Sequence, residues 1–536
     1  MKGILIVLLI LVYAIIYYVF LPPLSLMYLS GYLYIMTAIF LAMLLICYKW
    51  NKLKQLGIVL DCMNIFLIIG IISGICGSSL FNAQEMHQQI GKIQEKSFQD
   101  DILEIDTSQI PVVDYLLADK LADKKLGEDL ALGSQMEVGN FYNKQQVNGK
   151  LVYVAPLEHR SFWKWFDNQE GTDGYIIVSA TNPNDVTLVR SLNGKDLKLK
   201  YLPSAYFSDN LERHIRASGF RTEGLAEEIN FELDEQGNPY WIVTTYENTT
   251  VWRNPEANGV ITCNAQTGEV NWYSIAKAPK WIDIIQPETF IEDQLRNYGE
   301  YVHGWFNWSD KDKLSTTGYI TTIYNNGECF YCTGMSSVGK GDATVGFVMV
   351  NTRDKSAKMY RMVGATERAA MRSAEGKIQH MGYKATMPIP INVAGIPTYF
   401  CTLKDAEGLI KEYAMLKIED YSIVENGSTI METKRAFLNA VNNSGTPVKF
   451  GSGKTFGKAY TGIVTRIGSN VESGNTYYYM ILDGNTEKIY LASYMTSEDL
   501  PLTKVGDKVH VSYVSEAGGA IHVVDFDNLK IGRSQR

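Results

Sequence analysis

The chain has 536 residues, a net charge of −8, 46 % hydrophobic and 12 % aromatic residues. That length exceeds what one core supports and calls for several domains. The acidic balance, with no Lys/Arg cluster beyond one short tract, argues against a nucleic-acid surface, because phosphate contacts need grouped cations.

Three apolar stretches, 3–20, 26–47 and 56–81, open the sequence. Each is near or above the roughly 20 residues that a helix needs to cross about 30 Å of hydrocarbon. The positive charge, Lys49, Lys52 and Lys54, lies between the second and third stretches, and Lys2 opens the chain. Basic loops stay cytoplasmic, which predicts a cytoplasmic N-terminus and places everything after residue 82 outside. Leu21-Pro22-Pro23 offers no small-residue cleavage site, so the first stretch reads as an anchor and not as a removed signal. Lys2, Lys49, Lys52 and Lys54 against Asp61 give this region +3, leaving −11 for the remainder. Asp61 is the intramembrane polar candidate, although an interfacial position near Lys52 and Lys54 is the plainer reading.

Residues 82–136 read as a helical stalk followed by an amphipathic helix. The helix has Pro111 in its first turn, Leu116, Leu117, Leu121 and Leu126 on one face, and a stop at Gly127. From 137 to 203 short alternating runs predict a β-rich domain. Abundant Tyr (33) and Gly (45) suit such a fold.

Between 204 and 441 the sequence repeats itself. Three segments end a helix with an apolar residue and a glycine four positions on: Ile215 and Gly219, Leu295 and Gly299, Ile378 and Gly382. Aromatic strands follow, Tyr240-Trp241-Ile242, Phe330-Tyr331-Cys332 and Tyr399-Phe400-Cys401. Next come hairpins at 259–273 and 346–360, with a looser copy at 411–424. In this register Cys332 and Cys401 take the place of Ile242. Cys329 and Cys332 lie three apart on a strand, so their thiols should diverge, as structural residues and not a redox pair. The stretch NAQTGEV, Asn264 to Val270, with Gln266-Thr267-Gly268 as its turn, resembles the strand-closing pattern of the PepSY family of extracytoplasmic domains. Asn351 to Asp354 and Ile418 to Asp420 match it in outline. The resemblance implies a helix packed on an antiparallel sheet, in secreted or membrane-anchored binding modules, some associated with inhibition of peptidases. It supplies no catalytic residues.

An Asn/Gly/Ser-rich linker, 442–453, precedes a last unit, 454–536. Its alternating strands and Gly turns look like a small closed barrel, most like an OB-fold. Tyr477, Tyr478 and Tyr479 offer the aromatics that such barrels use on single strands, but the acidic neighbours Asp483, Glu487, Glu498 and Asp499 favour protein or glycan contact.

No HExxH or GxSxG occurs, and the seven histidines form no local metal pair. The P-loop-like tail at 450–455 lacks its first glycine and any following helix. No catalytic residue, cofactor or metal is therefore expected. Two segments carry more than packing requires. Trp281, Tyr301, Trp305 and Trp308 concentrate amphipathic rings suited to an interface or a domain seam. Residues 364–376, with Thr366 as N-cap, are expected to be a buried structural helix, with Glu367, Arg368, Arg372 and Glu375 as the alternative groove.

The resulting expectation is an α+β architecture: transmembrane helices, a β-rich ectodomain of helix-plus-antiparallel-sheet repeats, and a C-terminal barrel. The expected function is an extracytoplasmic binding or scaffold protein of the cell envelope. Its partners would be membrane lipid and an envelope protein or a second copy of itself, without nucleic acid. The alternatives are a hydrolase with a dispersed site and a transport or signalling component using the helices.

Overall fold

The computed structural model describes residues 2–49, 56–104, 109–140, 143–339, 343–444, 457–472, 475–497, 499–514 and 521–531. Lys52, Lys54, Glu498, the P-loop-like tail and most of the linker lie outside them. The chain forms two compact units, Met1–Glu95 with Ser108–Arg361, and Lys96–Thr107 with Met362–Arg536. The fold is α+β, with apolar N-terminal helices followed by curled antiparallel sheets.

The first unit begins with α1 (Lys2–Phe20), α2 (Leu29–Lys49) and α3 (Leu56–Cys76). Two of them contain stretches long and apolar enough to cross a membrane, Leu29–Tyr48 and Gly57–Cys76, and α1 holds a shorter apolar run, Ile6–Phe20. Only 11 % and 6 % of the residues in the two long windows are buried. These helices are thus apolar all round and almost uncovered by protein. α1 and α2 run antiparallel, with Tyr13 stacked on Tyr34 and bonded to Thr37, and Tyr17 against Tyr34. Tyr32 of α2 donates to the Phe66 carbonyl of α3 (2.6 Å).

After the helices one supersecondary unit recurs four times: a helix, then four antiparallel strands. The first copy is helix Tyr115–Gly127 with strands Asn143–Val147, Lys150–His159, Tyr175–Ser179 and Val186–Val189. The second is Leu211–Ala217 with Gly224–Leu233, Pro239–Thr250, Arg253–Asn264 and Val270–Ser274. The third is Glu288–Glu300 with Thr321–Asn325, Glu328–Ser337, Ala343–Asn351 and Ala357–Ala365. The fourth, in the second unit, is Glu367–Lys377 with Ile389–Val393, Ile396–Lys404, Ile410–Lys417 and Asp420–Gly427.

Backbone bonds fix the equivalence. The residue just past the third strand donates its N–H to the start of the second strand in every copy: Ala180 to Leu151, Ala265 to Pro239, Thr352 to Cys329 and Ile418 to Pro397. The same residue's carbonyl accepts from the segment leading into the helix. Val112 and Val113 donate to Ala180, Lys200 and Tyr201 to Ala265, Ile285 and Gln286 to Thr352, and Ala365 to Ile418. Helix and hairpin are therefore locked at one point, which satisfies backbone groups that a buried crossing would otherwise orphan. Two residues into the second strand stands a buried aromatic: Tyr153, Trp241, Tyr331 or Tyr399. Three of the four reach back to the helix lead-in. Trp241 donates to the Tyr201 carbonyl (2.7 Å), Tyr331 to Gln286 (2.9 Å) and Tyr399 to Ala365 (3.3 Å).

This geometry revises the sequence reading in two places. Residues 112–189 are a further copy, the first along the chain, and not an unrelated β-rich domain. In the last copy Tyr399 is equivalent to Trp241, one position away from the register inferred from sequence. Phe400 thus takes the place of Ile242, and Cys401 lies one residue beyond. The turn at 264–268 forms as expected: Asn264 Oδ1 accepts the N–H groups of Gln266 and Thr267, and Gly268 has φ +71°. Asn351 does the same for Arg353 and Asp354, and Ser179 Oγ for Thr181 and Asn182.

The expected stalk is not one helix. It divides into Ser79–Gln88, a two-residue strand Gln94–Glu95 lying parallel to Ala357–Ala365, and a single turn Phe98–Asp101. The amphipathic helix starts at Tyr115, not near Pro111, because the Asp114 carboxylate accepts the Leu117 N–H and caps it. Its buried face is Leu117, Ala118, Ala122 and Leu126; Leu116 is exposed.

In the second unit helix Ile430–Asn443 packs on the last two strands of the fourth copy. The barrel is closed, with strand order Gly457–Glu472, Asn475–Leu482, Tyr490–Ser493, Ile521–Asn528, Lys508–Val514. Val464, Met480, Leu482, Val509, Val511 and Phe526 fill its interior. Tyr477 is buried: Asn439 donates to its hydroxyl (2.7 Å), and the Arg435 guanidinium lies 5.7 Å from its ring centre. This tyrosine is thereby committed to helix packing and not to an open groove.

Candidate functional site

The second repeat is seated on the helix ends. Its central hairpin turns at Val251-Trp252, where Trp252 has φ +60°, and the tip reaches α2 and the turn that precedes it. Trp252 Nε1 donates to the Leu26 carbonyl (3.0 Å), and its ring lies 4.8 Å from that of Tyr32. Tyr28 donates to the Tyr246 carbonyl (2.6 Å), with the rings edge to face at 5.4 Å. Asn248 reaches Met27 O (3.1 Å) and Thr250 reaches Gly77 O (3.4 Å). The buried Arg216 holds the loop after its helix by donating to the Phe220 and Glu223 carbonyls, and that loop receives the Leu24 N–H at Arg221 O (2.7 Å). The end of α1, the start of α2 and the end of α3 thus meet one β surface through directional bonds, which fixes an orientation that apolar contact alone leaves free.

Helix Glu288–Glu300 of the third repeat runs toward the same end. Phe290 packs edge to face on Tyr246 (5.4 Å), Gln294 lies beside Pro255 and Glu256, and Tyr301 shares a cavity of about 370 Å³ with Ser79, Arg253 and Arg296. The loop that follows carries the rings singled out by sequence. Trp305, Phe306 and Trp308 are 41 %, 68 % and 79 % exposed and touch one another edge-on, at 4.9 and 5.9 Å. Polar ties hold the loop from below. Buried Asn307 donates to Lys311 O (2.8 Å), Lys313 pairs with Glu300 and Asp310 (both 2.8 Å), and His303 meets Asp312 (2.9 Å). Trp281 is not part of this group. It is half-buried, 5.0 Å from Tyr240, against Ile242, Val260, Ile282 and Ile285. The structure therefore joins Tyr301, Trp305 and Trp308 through one helix end and loop, and assigns Trp281 to a packing seam. Phe306, the middle ring, is one that the sequence argument passed over.

A buried polar cluster joins three repeats. Glu232 is fully buried and accepts the N–H groups of Asp283 (2.7 Å) and Ile284 (3.2 Å). Asp283 in turn accepts from Gln146 N (2.9 Å) and the Tyr324 hydroxyl (2.9 Å). Burial pushes both carboxyl groups above their ordinary range. The Arg353 guanidinium is spent on the Pro279, Ile282 and Ala278 carbonyls. Every partner here is main chain or a neighbouring strand, so the cluster ties modules together. Cys329 and Cys332 are both buried and neither is in a disulfide, and burial pushes the Cys329 thiol up to about 12, far from a reactive thiolate.

Two further candidates, Thr366 and His214, resolve as packing. Thr366 caps helix Glu367–Lys377 through Ala369 N (3.2 Å), and Ala369, Ala370 and Ala374 are buried beneath it. His214 lies 4.1 Å from the Tyr201 ring and bonds Gly268 O (2.7 Å). Asp61 sits in the second turn of α3, exposed on the helix surface and not inside a bundle. No group of three His, Cys, Asp or Glu suited to a metal occurs among the described residues. The chain matches no protein-family model, and a search of curated proteins finds no significant match.

Proposed function

We propose that this protein is anchored in a membrane by its N-terminal helices and presents four PepSY-like repeats and an OB-like barrel on the extracytoplasmic side, where it acts by binding. The observation that carries this reading is the pairing of nearly bare apolar helices with a β surface bonded to one of their ends. Hydrocarbon is the solvent that such helices require, since they bury little against protein. The basic tract Lys49 to Lys54 falls in the sequence between α2 and α3, whose other ends are the ones bonded to the β repeats, and cytoplasmic loops carry such an excess. The exposed position of Asp61 speaks against a bundle-centred transport role. The loop of Trp305, Phe306 and Trp308 is the binding surface: an apolar centre rimmed by Glu300, His303, Asp310 and Asp312 has the make-up of an interface hot spot. Tyr301, at the head of the loop, lines a cavity with Ser79 and Arg253, which suits a second envelope protein anchored in the same bilayer.

Photocrosslinking tests this directly. A crosslinking residue in place of Trp308, in the full chain in intact cells, is expected to give one discrete protein adduct. Trp308→Ala should abolish capture of that protein by at least tenfold, about 1.4 kcal/mol or more, while protease resistance of the repeats stays unchanged. Adducts with lipid alone, or undiminished capture by the alanine variant, would remove the loop from the binding role.

A further inference from the structure

A second group of exposed rings adjoins the helix that is bonded to the end of α1. The six-residue helix Phe162–Asp167 is capped by Ser161 and turns Trp165 into the core shared by the first two repeats. The same turn points Trp163 and Phe166 outward, 70 % and 53 % exposed. Phe162 and Trp165 meet Tyr206 at 5.0 and 5.4 Å, and Trp165 meets Phe207 at 5.7 Å. Phe207 is itself 54 % exposed at φ +52°, a left-handed conformation that a bulky residue rarely adopts. The strain is held by its surroundings: Asn210 caps the next helix through Arg213 N and donates to Pro203 O, fixing both ends of the turn.

That next helix, Leu211–Ala217, is bonded to α1. The Arg213 guanidinium lies 4.4 Å from the ring centre of Tyr18 and donates to the Tyr18 carbonyl (3.2 Å). Tyr18 is the third residue from the end of α1. Among the described residues of the repeats in this unit, every exposed Trp or Phe except Trp272 belongs either to this group or to the 305–308 loop. Apart from Trp272, exposed Trp and Phe rings of these repeats thus fall on two segments that adjoin helices bonded to the apolar helices or their extension. A water-facing origin does not account for that restriction.

We infer that Trp163, Phe166 and Phe207 form an interfacial anchor, seated in the headgroup layer of the bilayer that α2 and α3 cross. This rests on the membrane-anchored reading above. Indole and phenyl rings partition to that layer, where the apolar body and polar edge are both satisfied. A short turn carrying such rings needs no spanning length. The anchor holds the first two repeats at a fixed tilt to the membrane, because α1 fixes one point and the ring cluster a second.

The test uses the full chain reconstituted in phosphatidylcholine/phosphatidylglycerol vesicles that contain lipid brominated near the headgroup end of the acyl chains. The difference between the emission of the wild type and of Trp163→Phe isolates Trp163 with little change in bulk. That difference emission should be blue-shifted and quenched by the brominated lipid, whereas the Trp272→Phe difference should be neither. An unquenched, water-like Trp163 signal from chain that survives an alkaline wash of the vesicles overturns the anchor, and leaves the patch to water or a protein. Release of the whole chain by that wash overturns the anchored reading itself, by a measurement independent of Trp163.

Discussion

Trp241→Ala is expected to unfold the second repeat's core, with a loss of about 3–5 kcal/mol, the range for truncating a fully buried large aromatic. Trp241 has no exposed surface and packs 4.8 Å from Phe231, within a cluster that also holds Val152, Leu211, Ile215 and Ile261. Its indole N–H also anchors the helix lead-in at Tyr201 O. Two effects therefore add, a cavity and an orphaned carbonyl. Trp241→Phe separates them: most of the volume remains, and the unpaired carbonyl alone costs about 1–3 kcal/mol. Thermal unfolding and limited proteolysis of the detergent-solubilised chain should rank wild type above Trp241→Phe and that above Trp241→Ala. Equal stability of all three contradicts the assignment of this residue as the lock between helix and hairpin.

A gain of stability is expected at Glu158. This carboxyl lies on the second strand of the first repeat, opposite Glu137, with one oxygen buried and unpartnered. Burial pushes its pKa from 4.5 up to about 7. The folded chain thus holds the proton more tightly than the unfolded chain between those pH values. Folding stability attributable to this group is full below about pH 4.5 and falls as pH climbs to about 7. Glu158→Gln keeps the shape and removes the charge. It should stabilise the protein by up to about 3 kcal/mol near pH 8, at about 1.36 kcal/mol per pKa unit, and leave it unchanged near pH 4.5. Thermal midpoints at the two pH values measure this. A variant no more stable than wild type at the higher pH would show that the carboxylate is solvated in the folded chain. Glu288, also pushed up to about 7 by burial, keeps part of the same slope in both proteins.

The features legible in sequence were those written by short-range physics. Apolar length marked the helices, alternation and Gly turns marked the barrel, and the Asn264 side chain marked its own turn. The first copy escaped because Ser179 does in it what Asn264 and Asn351 do elsewhere, and Thr181-Asn182-Pro183 matches Gln266-Thr267-Gly268 at no position. What repeats is a backbone bond pattern, and backbone groups carry no letter in the sequence. The one-residue shift at Tyr399 has the same origin: Tyr399-Phe400-Cys401 and Phe330-Tyr331-Cys332 align by residue type, while the bond from Ile418 to Pro397 aligns them otherwise. Alanines made the same difference in helix Tyr115–Gly127, where Ala118 and Ala122 take the buried face and Leu116 does not. The ring clusters at 162–166 and 206–207 are joined only in space, over a separation that no local pattern spans.

The most direct test of the central claim is the sidedness of two engineered cysteines, Lys52→Cys and Glu235→Cys, in a chain carrying Cys76→Ala to remove the one exposed native thiol. Position 52 lies in the basic tract between α2 and α3, and position 235 in an exposed turn of the second repeat. The account predicts that a membrane-impermeant maleimide labels position 235 in intact cells and position 52 only after permeabilisation. Labelling of position 52 alone in intact cells, or of both positions equally, contradicts it.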